Sequence, residues 1–161
     1  MNTIDQTMKK ILLILLLLSP VLAFAQKTNF SGTWQINKDK TDFAGARAAE
    51  WVVPKTIKTD QQNDKLVLTR ISVDRDMQEQ PGIVESLPFD GAPFQRTSGD
   101  SKIYTTLHWI NDNSFTLNRK GTLTATENWT LEDEGKTLVI DRSVEQADGG
   151  SYKLKCYYDK Q

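Results

Sequence analysis

The sequence predicts an all-β fold, an antiparallel up-and-down barrel of about eight or nine strands, from three observations. Runs in which apolar and polar residues alternate recur along the chain, with turn signals every 8 to 12 positions. The links between these runs are short and rich in Asn, Asp and Gly, the residues that close hairpins, so consecutive runs are expected to pair. Only the stretch from Asn37 to Pro54 carries the alanines that favour helix, a turn or two that Gly45 weakens and Pro54 ends.

The N-terminus reads as a targeting segment. Lys9-Lys10, the apolar run Ile11 to Leu18 and the triplet Ala23-Phe24-Ala25 match the basic, apolar and cleavage regions of a signal peptide, with Met8 as an alternative start. The run falls well short of the ~20 apolar residues of a membrane-spanning helix. The expectation is an exported protein, periplasmic or secreted, with a signal peptide at 1–25 and a single domain at 26–161. Cleavage removes Asp5, Lys9 and Lys10, so the net charge goes from −1 to −2. That near balance gives no footing for nucleic acid or an anionic membrane as partner. Cys156 is the sole cysteine, so no internal disulfide forms and packing must supply the stability.

In chain order, the first strand is Phe30-Ser31-Gly32-Thr33-Trp34-Gln35-Ile36, with Gly32 at its entry and Trp34 as a large core aromatic. The following loop, with its short helix, either folds over one mouth of a barrel as a lid or crosses the surface, packing Phe43 and Trp51 outside. Thr56 to Thr59 and Lys65 to Val73 flank the polar turn Gln61-Gln62-Asn63-Asp64. Asp74 to Gly82 is a solvated loop whose Asp74-x-Asp76-x-Gln78 lacks the glycine and glutamate of a calcium loop. Ile83 to Phe89 makes a strand, and a polar loop around Thr97-Ser98-Gly99-Asp100 leads on. Ile103 to Ile110 pairs with Ser114 to Arg119, and three strands of similar length close the chain at Leu123 to Leu131, Thr137 to Val144 and Ser151 to Tyr158.

Gly32-Thr33-Trp34 followed by Asn37, Lys40 and Phe43, then Phe89-Asp90-Gly91, Trp129-Thr130-Leu131, Gly135 to Leu138 and Tyr158-Asp159-Lys160, resembles a group of small secreted bacterial proteins described as lipocalin-like. The resemblance implies a barrel that binds small apolar molecules inside, its Gly-x-Trp tryptophan closing one end beneath an arginine. Trp34 fits the tryptophan's part. No arginine follows Arg142, so Arg142 is the candidate for the arginine's part.

Strand alternation places Trp109, Phe115, Trp129 and Tyr152 on the apolar phase, with Ile103, Thr105, Leu107, Leu117, Leu138, Ile140, Leu154, Cys156 and Tyr158. Three strands put an arginine on that phase: Leu66-x-Leu68-x-Arg70, Phe115-x-Leu117-x-Arg119 and Leu138-x-Ile140-x-Arg142. Glu127 shares it between Ala125 and Trp129. A buried arginine must meet a carboxylate, a ligand anion or water, and its planar fork suits a carboxylate. The expectation is that some of Arg70, Arg119 and Arg142 reach one barrel mouth and hold the acidic head of an apolar ligand. Glu127 would be their partner in the empty site, and Trp109, Trp129, Phe115 and Tyr152 would line the interior. The alternative leaves the arginines at strand ends in solvent or in structural ion pairs.

His108 lies on the outward phase, and one His with one Cys makes neither a zinc set nor a nucleophilic triad, so no metal, cofactor or catalytic group is expected. An acid and base pair of carboxylates would need Glu127, its pKa raised by burial, and Glu85 as a second inward carboxylate. The leading expectation is therefore a non-catalytic barrel that binds a small hydrophobic or amphipathic molecule. Its rivals are a filled barrel contacting another envelope protein and, behind that, a small hydrolase or isomerase.

Overall fold

The computed structural model describes residues 27–43 and 53–161. The expected signal peptide, and the helix and Trp51 of the first loop, lie outside the described residues. Among those described, ten strands form one antiparallel sheet: β1 Gly32–Ile36, β2 Thr56–Gln61, β3 Lys65–Ile71, β4 Ile83–Pro88, β5 Phe94–Ser98, β6 Ser101–Asn111, β7 Ser114–Lys120, β8 Leu123–Glu132, β9 Thr137–Gln146 and β10 Ser151–Lys160. No helix among them is long and apolar enough to cross a membrane.

Chain neighbours pair throughout, with one exception. The sheet order is β4-β3-β2-β1-β10-β9-β8-β7-β6-β5, so β10 returns to β1 and the sheet curls into a nearly closed barrel. The remaining seam lies between β4 and β5, which do not hydrogen-bond to each other. Their sequences suit sheet edges: Pro88 ends β4 and Pro93 precedes β5, residues with no N–H to give a ladder, and β4 carries an inward charge at Glu85. The expected fold class holds with one strand more. The added strand is β5, whose end at Thr97-Ser98 falls in the expected polar loop; Gln95, Thr97 and Ser98 hide the short alternation of Phe94 and Arg96.

Alternation divides the barrel wall into two faces, as in β3, where Leu66, Leu68 and Arg70 turn inward. Phe30, Trp34, Ile57, Leu107, Phe115, Leu117, Trp129, Leu138 and Tyr158 form the core, each at most 1% exposed. The Phe115 ring stacks on Trp129 with centroids 5.3 Å apart and meets Phe30 edge-on at 4.6 Å. Trp34 Nε1 donates to Thr59 Oγ1 at 3.0 Å and to Phe30 O at 3.3 Å, so the indole is buried with its polar atom satisfied.

Above Trp34 the structure corrects the expectation. The cation over its ring is Lys160, directly opposite it on β10, with Nζ 5.1 Å from the ring centroid. Arg142 instead turns into the barrel beside Glu127. Gly32 makes the lysine's approach feasible: a Cβ there would lie 2.9 Å from Lys160 Cε. Asn37 ties the first loop down by donating to Asp159 Oδ2 at 2.7 Å.

Candidate functional site

Six charged side chains from six strands meet inside the barrel: Arg70 of β3, Glu85 of β4, Arg96 of β5, Arg119 of β7, Glu127 of β8 and Arg142 of β9. Each arrives by alternation, one or two steps along a strand from an apolar core residue. The solvent-facing half of the alternative for Arg70, Arg119 and Arg142 is thereby overturned, while its other half, structural ion pairs, is what these arginines form with Glu85 and Glu127. Their side chains are 8%, 14% and 10% exposed, too little for a charge that relies on water alone.

Two carboxylates organise the cluster. Glu127 is gripped at both oxygens by Arg70, whose Nη2 and Nη1 donate at 2.8 and 3.2 Å, and it also accepts from Trp129 Nε1 at 3.1 Å. Arg142 Nε and Arg119 Nη1 stand further off, at 3.7 and 3.8 Å. Glu85 is wholly buried. It accepts from Thr105 Oγ1 and Arg119 Nη2, both at 2.9 Å, and lies 3.4 Å from Arg70 Nε and 3.6 Å from Arg96 Nε.

The protonation states follow from this geometry. Burial alone would raise both carboxyl groups, but the cations outweigh it. Arg70, Arg119 and Arg142 hold Glu127 well below the usual carboxylate range, and Arg70 and Arg119, helped by the Thr105 hydroxyl, lower Glu85. The raised pKa expected for a buried Glu127 is thus reversed. Burial would lower Arg70, yet Glu127 and Glu85 raise it on balance. Arg119 is lowered, first by burial and then by Arg70, more than the two glutamates restore. Cys156 and Tyr158 are buried in the core as neutral groups. Burial pushes the thiol up to about 12 and the phenol well above its ordinary value, and the Tyr158 hydroxyl donates to Pro54 O at 3.0 Å.

A cavity of about 110 Å³ opens on this cluster, with Pro54, Ser72 and Ile83 beside Arg70, Glu85, Arg96, Arg119 and Arg142. At roughly 30 Å³ per water it admits three or four waters or one small polar head group. A second cavity of about 170 Å³ shares Pro54 and is more apolar, lined by Ile36, Phe43, Val53, Val73 and Met77 with Gln35, Lys38 and Lys55.

The structure therefore brings together Arg70, Arg119, Arg142 and Glu127 as expected, with Trp129 touching the cluster through its Nε1 bond to Glu127, and places Trp109, Phe115 and Tyr152 elsewhere. None of those four rings lines the arginine cavity: Phe115 and Trp129 are packed core, and Trp109 and Tyr152 are partly buried against it. Glu85 is the carboxylate at the cavity, which Glu127 does not line. Its signal was present in Ile83-x-Glu85-x-Leu87, the same inward phase as the arginines. Arg96 had no comparable signal, since its strand is a single short run at the sheet edge.

Fold and site together define a lipocalin-like barrel with a charged interior. Among solved structures, the chain is similar to the zebrafish ileal bile acid-binding protein in complex with cholic acid, at a TM-score of 0.55 and 13% identity, covering 82% of this chain and 98% of that one. At that identity the likeness establishes the fold alone. No protein-family model matches the sequence, and no curated protein matches it.

Proposed function

We propose that this is an exported, non-catalytic binding protein whose ligand is a small amphipathic acid, its head on the arginine cluster and its apolar part beyond Pro54. One observation carries the reading: beside a cavity, guanidinium groups, one buried and two partly buried, outnumber the buried carboxylates they face. Leaving Arg142 aside, three guanidinium groups face two carboxylates. An entering anion relieves that excess, and Arg119, whose charged form is disfavoured by burial and by Arg70, gains most.

Size limits the ligand. Binding sites for drug-sized molecules enclose ~300–1,000 Å³, so the arginine cavity accepts a head group only. The adjacent apolar cavity at Val53, Val73 and Met77 offers room for a slim tail. The zebrafish protein's complex with cholic acid, itself an amphipathic acid, is in keeping with this ligand class. Catalysis is disfavoured on chemical grounds, because both carboxylates are held ionised and neither has the raised pKa of a general acid.

The test is displacement of a bound fluorescent amphiphile by dodecanoate, methyl dodecanoate and dodecanol. Displacement by the acid alone, weakened about tenfold in Arg119→Ala, is the expected result; tenfold corresponds to ~1.4 kcal/mol. Equal displacement by acid and ester would reject the head-group role. Absence of binding would favour the rival, a filled barrel meeting another envelope protein, which the dry packing of Phe115 on Trp129 supports. Export remains part of the proposal, together with a single mature domain at 26–161 and kinship with small secreted bacterial lipocalin-like proteins. The mature mass in the periplasmic or secreted fraction is expected to begin at Gln26, and an uncleaved chain would reject that.

A further inference from the structure

Glu85 stands where ligand binding and barrel closure meet. By backbone hydrogen bonds β4 is joined to β3, and β5 to β6, with no ladder across the seam. The Glu85 side chain crosses it instead. Its carboxylate accepts from Thr105 of β6 and Arg119 of β7 and lies 3.6 Å from Arg96 Nε of β5. Glu85 also lines the cavity, whereas Glu127 lies behind Arg70, held at both oxygens. An anion entering the cavity therefore finds Arg96 and Arg119 already engaged by one particular carboxylate.

We propose that Glu85 is a built-in counter-anion that a bound acid displaces, so that head-group binding and closure of the β4–β5 seam compete for the same guanidinium groups. The inference rests on the head-group reading above and adds its consequence for the fold. Once displaced from Arg96 and Arg119, the Glu85 carboxylate keeps only Arg70 Nε at 3.4 Å, on a guanidinium whose two Nη atoms are already on Glu127, and so poorly partnered a charge is costly to keep buried. It must reach water, and β4 can let it do so: it is an edge strand with Ile83 and Val84 already 41% and 56% exposed. Binding thus loosens the strand that Glu85 had fastened. The same competition selects ligands. A charged head group can replace a carboxylate on two guanidiniums, while a neutral ester or alcohol cannot.

Hydrogen exchange of the full chain, followed by mass spectrometry with and without saturating dodecanoate, tests this on the unmodified protein. The expected result is faster exchange over Ile83–Pro88 when the acid is bound, while β8 and β9 keep or gain protection. A second measurement uses Glu85→Gln, which keeps a hydrogen-bond acceptor for Thr105 but removes the competing charge; it is expected to bind dodecanoate about tenfold more tightly than the parent. Binding of the acid with unchanged or slower exchange in β4, or a Glu85→Gln variant that binds no more tightly, would overturn the inference. Dodecanoate binding to neither protein would instead remove the head-group reading, and this inference with it.

Discussion

Two regions of one barrel interior solve opposite problems. Around Phe30, Phe115 and Trp129 the interior is dry, its rings stacked or edge-on at 4.6 to 5.3 Å, and stability there comes from apolar area and close packing. Around Arg70, Glu85, Arg119 and Glu127, strands β3, β4, β7 and β8 bury ionised groups whose hydration has been lost, and stability depends on each charge finding its partner. The regions touch at Trp129, whose ring stacks on Phe115 while its Nε1 donates to Glu127 and the Arg70 guanidinium lies 5.6 Å from its centre. Alternation decides only what points inward. What the inward groups can do depends on whether water, a ring or a counter-charge meets them.

Glu127→Ala should have the largest effect. It strips Arg70 of its two-point partner and leaves a buried cation, at an expected cost of about 4 kcal/mol in urea unfolding. A loss below about 1 kcal/mol would show that the charged region does not need its pairs. Phe115→Ala probes the dry region: a cavity in packed core should cost about 3 kcal/mol and leave dodecanoate affinity unchanged. A large fall in affinity would show that the two regions are not separate.

The charged region should also set the pH dependence of stability. Glu127 and Glu85 have folded pKa values below their usual 4.5. The stability they contribute is therefore complete above that value and lost as the pH falls through their lower folded values. Cys156 works in the other direction. Its thiol is raised from 9.0 to about 12, so its contribution is complete below pH 9 and lost as the pH rises toward 12. Urea midpoints should be level between pH 5 and 8 and fall outside both limits; a steady slope across that window would contradict the assignment. The smallest expected effect is Lys160→Met, which removes the cation over Trp34 and should cost about 0.5–1 kcal/mol, read as a small shift in midpoint without change in ligand affinity.

Much of this molecule was legible in its residues. The barrel followed from period-two patterning and hairpin turns, and four of the six clustered charges followed from the phase they share with Leu66, Leu117, Ala125 and Ile140. Glu85 was visible on the same reasoning, though its weight was not. Arg96 was hidden, because a short edge strand whose inward positions are Phe94 and Arg96 lacks the apolar repeat that marks a strand. Lys160 was hidden for another reason: its place over Trp34 depends on the β1–β10 pairing and on the missing side chain of Gly32, and neither shows in a local pattern.

The sequence alone determined the fold class and the inward faces, since both are local consequences of side-chain alternation and turn chemistry. Only the tertiary structure decided that the arginines meet two carboxylates, that the aromatic rings pack solid away from the cavity, and that Glu85 fastens an open seam. Those outcomes depend on the register of strands far apart in the chain. Charges become partners, and rings become core, only when closure of the barrel brings them within a few ångströms.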